Sequence, residues 1–129
     1  MLSGTNVQPM LPVDDLEKAT RFYDQVLGLR RVNEEPGMAV TYRSGKTTLN
    51  VYKSEFAGTN KGTAALWEVD DLDGAVKELK AKGVTFEHYD MPGLEREGDL
   101  YRAGDFGVAW FKDPAGNILS VQTKPAPQA

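Results

Sequence analysis

The chain has 129 residues, a formal net charge of −4 and no cysteine, which suits one compact domain and excludes disulfides, thiolate nucleophiles and cysteine-ligated metals. No apolar run approaches the roughly 18 residues of a membrane span, and mixed charges with a pI of about 5.0 predict neither a nucleic-acid nor a membrane partner. We therefore expect a cytoplasmic protein without a signal segment.

A seven-residue pattern occurs twice. The segment Val13–Ala19 reads Val-Asp-Asp-Leu-Glu-Lys-Ala, and Val69–Ala75 reads Val-Asp-Asp-Leu-Asp-Gly-Ala. In each copy an apolar stretch precedes two aspartates, which are good helix N-caps, and a helical pattern of apolar residues follows. Each helix is expected to end at a glycine, Gly28 or Gly83, because glycine adopts the left-handed backbone of a helix end at least cost. The repeat predicts two copies of one strand-helix-strands module.

The first half, residues 1–60, is predicted to form a β-α-β-β-β module. Its helix carries an apolar stripe with the spacing of a helix packed on a sheet, at Leu16, Ala19, Phe22, Tyr23 and Val26. Its strands are predicted at Val7–Val13, from Leu29 to Asn33, at Met38–Arg43 and at Thr47–Lys53. The polar segment Ser54–Gly62 is predicted to link this module to the next.

The second half, residues 61–129, is predicted to repeat the module. Its strands are predicted at Thr63–Val69, Val84–Tyr89, Phe106–Phe111 and Ile118–Thr123. The segment Asp90–Asp105 is rich in glycine and charge, so it is predicted to be a long loop, either a lid over a ligand or a mobile surface loop. Residues 124–129 are expected to form a mobile tail. The fold class is therefore α+β, with about eight strands and two helices forming a curved mixed sheet around a cleft.

Taken in order, these segments resemble the vicinal oxygen chelate superfamily, which contains glyoxalases, bleomycin resistance proteins and extradiol dioxygenases. The resemblance extends from about Asn6 to Thr123 and is carried by Val13–Leu16, Phe22–Tyr23, Leu27–Leu29, Val69–Leu72 and Phe111–Asn117. It implies paired modules around a cavity, commonly in a homodimer, and a divalent metal in the catalytic members.

The family's metal-ligand positions correspond in this chain to Gln8, Asn50, Ala64 and Ser120. Some glyoxalases in the family use glutamine at the first position. None of the four side chains is charged, however, whereas catalytic metals prefer carboxylates and imidazoles. The histidine of the chain, His88, matches no ligand position. We therefore expect no metal site and no other cofactor.

Strand alternation adds further side chains to the cleft, because residues two apart share a face. The set then comprises Gln8, Met10, Pro12, Thr48, Asn50, Tyr52, Ala64, Leu66, Glu68, Ile118, Ser120 and Gln122. The opposite faces are more apolar and are expected to pack on the helices, at Val7, Leu11, Val13, Leu49, Val51, Ala65, Trp67, Val69, Leu119 and Val121. The predicted pocket is neutral and partly apolar, with one carboxylate, Glu68.

Three functions are compatible with this pocket. The first is metal-free binding of a small molecule with an aromatic part, by analogy with the bleomycin resistance branch. Tyr52 or Trp110 would then stack on the ligand, although the sequence leaves open which face Trp110 occupies. The second is a lyase, isomerase or dioxygenase acting through Gln8 and Glu68 on a weakly held metal, with Glu68 as candidate general base. The third is a structural or partner-binding module.

Each of these residues also has a structural interpretation. The polar side chains Gln8, Asn50 and Ser120 can simply satisfy one another in a wet cleft. Glu68 can be a solvated carboxylate at a sheet edge, and His88 an exposed residue at the end of a strand. Arg96, Glu97, Tyr101 and Arg102 of the long loop either fold over a ligand or remain on the surface.

Overall fold

The computed structural model describes residues 2–124 and shows an α+β fold. Helix α1 spans Leu16–Arg21 and continues as a π-helical segment, Phe22–Val26, and helix α2 spans Leu72–Ala81. The strands are β1 Met10–Val13, β2 Arg30–Glu35, β3 Ala39–Ser44, β4 Thr47–Lys53, β5 Thr63–Val69, β6 Phe86–Glu87, β7 Glu95–Glu97, β8 Leu100–Ala103, β9 Phe106–Lys112 and β10 Ile118–Thr123. Apart from Lys124, the expected tail lies outside the described residues.

The strands form two mixed sheets, one for each copy of the repeat. The first sheet has the order β1-β4-β3-β2 and the second β5-β10-β9-β8-β7, with β6 also pairing with β9. In each module the first strand runs parallel to the last strand and the other pairs are antiparallel. The predicted curved sheet is thus observed as two separate sheets of the same topology. No helix within residues 2–124 combines the length and apolar character that a membrane crossing requires.

Both helices begin at the second aspartate of the repeated pattern. The Asp15 carboxylate accepts a hydrogen bond from the Lys18 backbone N–H at 3.1 Å, and Asp71 accepts one from the Gly74 N–H at 3.0 Å. These bonds satisfy backbone donors that lack a partner within the helix. Gly28, just after the π-helical segment, has the expected positive φ of 68°. The local sequence therefore determines where the helices begin and end.

The core lies between the sheets and the helices, as the alternation predicts. Leu11, Val13, Leu49, Val51, Leu119 and Val121 are buried, and Ala65, Trp67 and Val69 pack against them. Val7 is the exception, since it is 93% exposed. The predicted first strand was too long: β1 begins only at Met10, and the chain before it, which includes Pro9, joins no ladder.

A buried hydrogen-bond network joins the two modules. The Tyr23 hydroxyl donates to Asp113 Oδ2 at 2.7 Å, and the Asn117 side-chain amide donates to the same oxygen at 2.9 Å. The other oxygen of Asp113 accepts the backbone N–H groups of Ala115 and Asn117, and the Asn117 amide also donates to the Pro12 carbonyl. Burial, followed by the neighbouring carboxylate, raises the pKa of Tyr23 above its usual range. The π-helical segment, β1 and the turn between β9 and β10 are thereby held together.

The segment predicted as a long loop contains a short hairpin, β7-β8. Asp99 in its turn accepts hydrogen bonds from Lys80 at 2.7 Å and His88 at 2.8 Å, and these two bonds lower the pKa of the Asp99 carboxyl. Arg96 donates to His88 Nδ1 and to the Gly98 carbonyl. The prediction of a loop without strands was therefore wrong, because strands of three or four residues are too short to show a periodic pattern.

The predicted strand Val84–Tyr89 is reduced to the two residues of β6. It shares one side of β9 with β8: Phe86 lies opposite Phe111, and Tyr101 opposite Val108. Because the hairpin occupies part of the edge of β9, only a short length remains for β6 to pair with.

Candidate functional site

The register of the first sheet identifies the side chains that share its cleft face. Asn50 lies opposite Met10 on one side and Thr41 on the other, and Thr48 lies opposite Arg43. Side chains of directly opposed residues project from the same face of a sheet. We call this surface the first cleft face, comprising Gln8, Met10, Thr41, Arg43, Thr48, Asn50 and Tyr52. Thr41 and Arg43 were not among the predicted site residues, although alternation from Asn50 across the hairpin could have identified them.

Polar side chains on the first cleft face form hydrogen bonds with one another. Asn50 Oδ1 accepts a hydrogen bond from the Thr41 hydroxyl at 2.6 Å, and Asn50 Nδ2 donates to Gln8 Oε1 at 2.9 Å. The hydrogen-bond chain therefore runs in one direction, from Thr41 through Asn50 to Gln8. The NH₂ group of Gln8, at its end, remains available to donate a hydrogen bond to a ligand. Two predicted site residues are brought into direct contact by this arrangement.

The register of the second sheet places Trp110 on the predicted cleft side. Ser120, which is buried, lies opposite Trp110 in β9 and Leu66 in β5, and Gln122 lies opposite Glu68. This answers the question that the sequence left open. We call the surface formed by Leu66, Glu68, Trp110, Ser120 and Gln122 the second cleft face.

Ala64 does not belong to the regular ladder. The register shifts between Ile118 and Leu119, so that these residues pair with Thr63 and Ala65 and leave Ala64 in the irregularity. A one-residue bulge of this kind changes the direction of the strand locally. The predicted equivalence of Ala64 with Leu66 and Glu68 is therefore not supported by the pairing.

Two tyrosines hold Trp110 in position. The Trp110 ring centre lies 5.2 Å from that of Tyr101 and 5.7 Å from that of Tyr89, both edge to face, and its Nε1 donates to the Thr63 hydroxyl at 3.1 Å. Edge-to-face contacts at these distances are favourable. The Tyr101 hydroxyl also accepts the Tyr89 backbone N–H. Tyr101 was predicted only as part of the long loop, and Tyr89 was not among the predicted site residues.

The Tyr89 hydroxyl is buried and has no hydrogen-bond partner within residues 2–124. Burial raises the pKa of this group, and the nearby Glu87 carboxylate raises it further. Glu87 lies opposite Trp110 in the β6–β9 pair, on the cleft side. The aromatic cluster of Tyr89, Tyr101 and Trp110 is thus a fixed apolar part of the second cleft face.

In the described part of the chain, residues of the two cleft faces line three grooves, one of which the two faces share. Gln8 lines a groove of about 430 Å³ and Asn50 one of about 210 Å³, and both grooves are lined by residues of the first module. Thr48, Leu66 and Glu68 share a third groove, of about 410 Å³, at the junction of the modules. The structure therefore brings Thr48, Leu66 and Glu68 together, whereas Gln8 and Asn50 line separate grooves, so the predicted site residues remain spread over the two cleft faces. Met10, which is 54% exposed, and Leu66, 50% exposed, leave apolar area uncovered on both.

Glu68 is exposed near the end of β5 and forms no ion pair within the described part of the chain. The general-base interpretation requires a carboxylate in an apolar cleft, and this position does not supply one. His88 contacts Asp99 and Arg96 and forms no hydrogen bond with the residues of either cleft face.

A separate cavity of about 280 Å³ lies on the helix side of the sheets, between α2, the end of the π-helical segment and the core. Trp67 and Phe111 are among its walls, and Glu78 and Lys82, which form an ion pair at 3.7 Å, line it too. The Trp67 ring N–H is satisfied by Ser44 at 2.8 Å. Trp67 thus belongs to the helix side, as predicted.

The side chains at the family's ligand positions do not fit a divalent metal. Gln8 and Asn50 offer only neutral amide oxygens, each of which already accepts one hydrogen bond, and neither supplies the carboxylate or imidazole that a catalytic metal prefers. Ala64 has no donor atom, and Ser120 is neutral and lies on the other sheet. Within residues 2–124 there is also no group of three histidine, cysteine, aspartate or glutamate side chains that could hold a metal ion.

Comparisons with known proteins give one consistent family. The family model described as Glyoxalase/Bleomycin resistance protein/Dioxygenase superfamily matches residues 7–121. A relative from Vibrio parahaemolyticus named "Probable lactoylglutathione lyase" is 28% identical over an alignment of 147 residues, which covers 98% of this chain and 96% of the relative.

Two solved structures share the fold at lower identity. A lactoylglutathione lyase from Agrobacterium tumefaciens has a TM-score of 0.69 and 22% identity, covering 92% of this chain and 93% of that one. A bleomycin resistance determinant encoded on the transposon Tn5 has a TM-score of 0.68 and 18% identity, covering 92% of this chain and 97% of that one.

Proposed function

Because the chain belongs to the glyoxalase/bleomycin resistance protein/dioxygenase superfamily, we propose that it binds a small molecule with an aromatic part on its cleft faces without using a metal ion. The observation that carries this proposal is the Thr41–Asn50–Gln8 hydrogen-bond chain, which engages the amide oxygens at two ligand positions of the family. The fixed Trp110 ring supports an aromatic ligand, since stacking on a rigid ring adds to apolar burial.

The names of the similar proteins suggest two functions for such a site. One structural neighbour is a bleomycin resistance determinant, and two similar proteins are named lactoylglutathione lyases. Binding is favoured here because Gln8 is engaged with Asn50 and because Glu68 is exposed. A lyase remains the second candidate, on the strength of the 28% identity to the Vibrio protein.

Elemental analysis of protein purified without a histidine tag tests the metal-free part of the proposal. We expect far less than one metal ion per chain, both before and after incubation with nickel, zinc, manganese or iron and removal of the excess. About one metal ion per chain would overturn the proposal and favour the lyase, whose activity would then be assayed with the same loaded protein.

Tryptophan fluorescence tests where an aromatic ligand binds. For a ligand found in a thermal-shift screen of aromatic compounds, we expect Trp110→Leu to weaken binding about tenfold. Trp67→Phe, on the helix side, is the matched control and should leave the affinity unchanged while removing the other tryptophan. Equal affinities in the two variants would show that the ligand does not contact the second cleft face.

We further propose that the chain forms a homodimer in which each copy covers apolar area left exposed on the cleft faces of the other. Exposed Met10 and Leu66 support this, because uncovered apolar patches are typical of protein interfaces. Light scattering should give twice the 14.2 kDa chain mass. Leu66→Lys should weaken the dimer about 100-fold, since it buries an unpaired charge.

Phe56→Lys is the control for the dimer. Phe56 is 66% exposed, but it lies in the linker, outside both cleft faces. We expect this variant to remain dimeric. A monomeric wild-type chain at 100 micromolar, roughly the concentration of a light-scattering run, would contradict the proposal, as would dissociation of the Phe56→Lys variant.

A further inference from the structure

Two arginines face each other on the first sheet. Arg30 in β2 is directly opposite Arg43 in β3, so the two side chains project from the same face. Like charges in directly opposed positions destabilise a sheet. The arrangement becomes favourable when an anion lies between or beside the two guanidinium groups, since each can donate hydrogen bonds to it.

Acidic residues close to these arginines are engaged elsewhere. Asp24 and Glu34 both pair with Arg31, at 2.7 Å and 3.6 Å, and Arg31 lies next to Arg30 in β2. Arg30 and Arg43 form no ion pair within residues 2–124. Such an uncompensated pair is notable in a chain with a net charge of −4.

Arg43 also lines a groove that contains further hydrogen-bond donors. The groove has a volume of about 430 Å³ and includes Gln8, Arg43, Lys46, Thr47 and Thr48. Lys46 supplies a second cation, and like Arg43 it has no ion-pair partner in the described chain. The groove is therefore rich in donors and contains no carboxylate.

The groove adjoins the amide chain of the first cleft face. Thr48 lies two residues before Asn50 in β4, on the same face, so the two are separated by about 7 Å along the strand. Gln8 belongs to both, because its Oε1 accepts from Asn50 while its NH₂ remains available. One small molecule can thus contact the groove with one end and the amide chain with the other.

We propose that Arg43, with Arg30 and Lys46, binds the anionic group of the protein's ligand, a carboxylate, a phosphonate or a phosphate monoester. This inference rests on the proposed function, because it assigns a charge to the molecule bound on the cleft faces. The ligand class is then an aromatic or apolar body bearing one anionic group. Glu68 lies in the groove that Thr48 shares with the second module. Within residues 2–124 it forms no ion pair with Arg30, Arg43 or Lys46.

Titration with inorganic phosphate, followed by backbone amide shifts in ¹⁵N NMR spectra at constant ionic strength, tests the anion site alone. We expect the largest shifts at residues 43–48, and a loss of affinity of about tenfold in Arg43→Gln. Arg43→Lys should retain most of the affinity. Arg21→Gln is the matched control, since Arg21 lies on α1 and pairs with Glu17; its affinity should equal that of the wild type.

Thermal unfolding gives an independent measurement on the same variants. Without phosphate, Arg43→Gln should melt about 1–2 °C above the wild type, because it removes a like-charge pair. Phosphate should raise the melting temperature of the wild type and of Arg21→Gln but not that of Arg43→Gln. An equal rise in melting temperature with phosphate in the wild type, Arg21→Gln and Arg43→Gln would overturn the inference.

Three aromatic probes of similar shape separate this inference from the proposed function. Benzoate and phenylphosphonate carry the anion and benzamide does not, so we expect the first two to bind more tightly than benzamide, and their order distinguishes a carboxylate from a phosphonate ligand. Benzamide binding as tightly as benzoate would overturn the anion site and leave aromatic binding intact. Phosphate bound at Arg43 without binding of any aromatic probe would support the anion site and contradict the proposed function.

Discussion

Replacing Asp113 by alanine should destabilise the fold by about 3 kcal/mol. Asp113 is 4% exposed and accepts hydrogen bonds from the Tyr23 hydroxyl, the Asn117 amide and two backbone N–H groups. Alanine would remove the acceptor of the buried Tyr23 hydroxyl and of the buried Asn117 backbone N–H, which costs more than the net value of the bonds themselves. Urea unfolding followed by circular dichroism measures the change.

Two milder variants rank the contributions to this network. Asp113→Asn keeps an oxygen acceptor but loses the charge, and Tyr23→Phe removes one donor while leaving the carboxylate the other three. We expect the loss in free energy of unfolding to be largest for Asp113→Ala, smaller for Asp113→Asn and smallest for Tyr23→Phe, at about 1.5 kcal/mol. A cost below 1 kcal/mol for Asp113→Ala, or one equal to that of Tyr23→Phe, would contradict a carboxylate-centred network.

Replacing Gly58 by alanine should cost about 2–3 kcal/mol. An added Cβ would lie 2.5 Å from the backbone carbonyl oxygen of Ala115, and the backbone φ of Gly58 is +73°. Both the linker and the last turn would have to move, because the obstructing atom is backbone. The free energy of unfolding from urea titration measures the cost.

Gly45→Ala is the matched control. Gly45 has a φ of +58° in the turn between β3 and β4, and an added Cβ there meets no atom within 4 Å. It should therefore cost about 1 kcal/mol, from backbone conformation alone. The difference between the two variants isolates the contact between the linker and Ala115, and equal costs would show that this contact does not constrain the fold.

Much of the fold follows from local patterns in the sequence. Asp15 and Asp71 cap the helices, and Gly28 adopts the left-handed backbone, because capping and φ preferences act within a few residues. The strands Thr47–Lys53, Thr63–Val69 and Ile118–Thr123 have the predicted bounds, since each is a run of six or seven residues rich in apolar and β-branched side chains. The β7-β8 hairpin was missed because its strands are too short to show alternation.

The candidate site was predicted in parts. Alternation grouped Ser120 with Gln122 and Asn50 with Thr48, yet it could not choose a face for Trp110, whose neighbours are apolar on both sides. The cations of the first cleft face were overlooked for a related reason: Arg43 lies on a different strand from the ligand positions, and only the β3–β4 register places it opposite Thr48.

Residue type and short spacing were enough to predict the repeat, the helix caps, the helix-facing sides of the strands and the neutral side chains at the family's ligand positions. The three-dimensional structure was needed to establish that Trp110 contacts Tyr89 and Tyr101, that Gln8 hydrogen-bonds to Asn50, that Arg30 lies opposite Arg43 and that Asp113 joins the modules. These contacts connect residues far apart in the chain, through strand register and module packing, which no local pattern specifies.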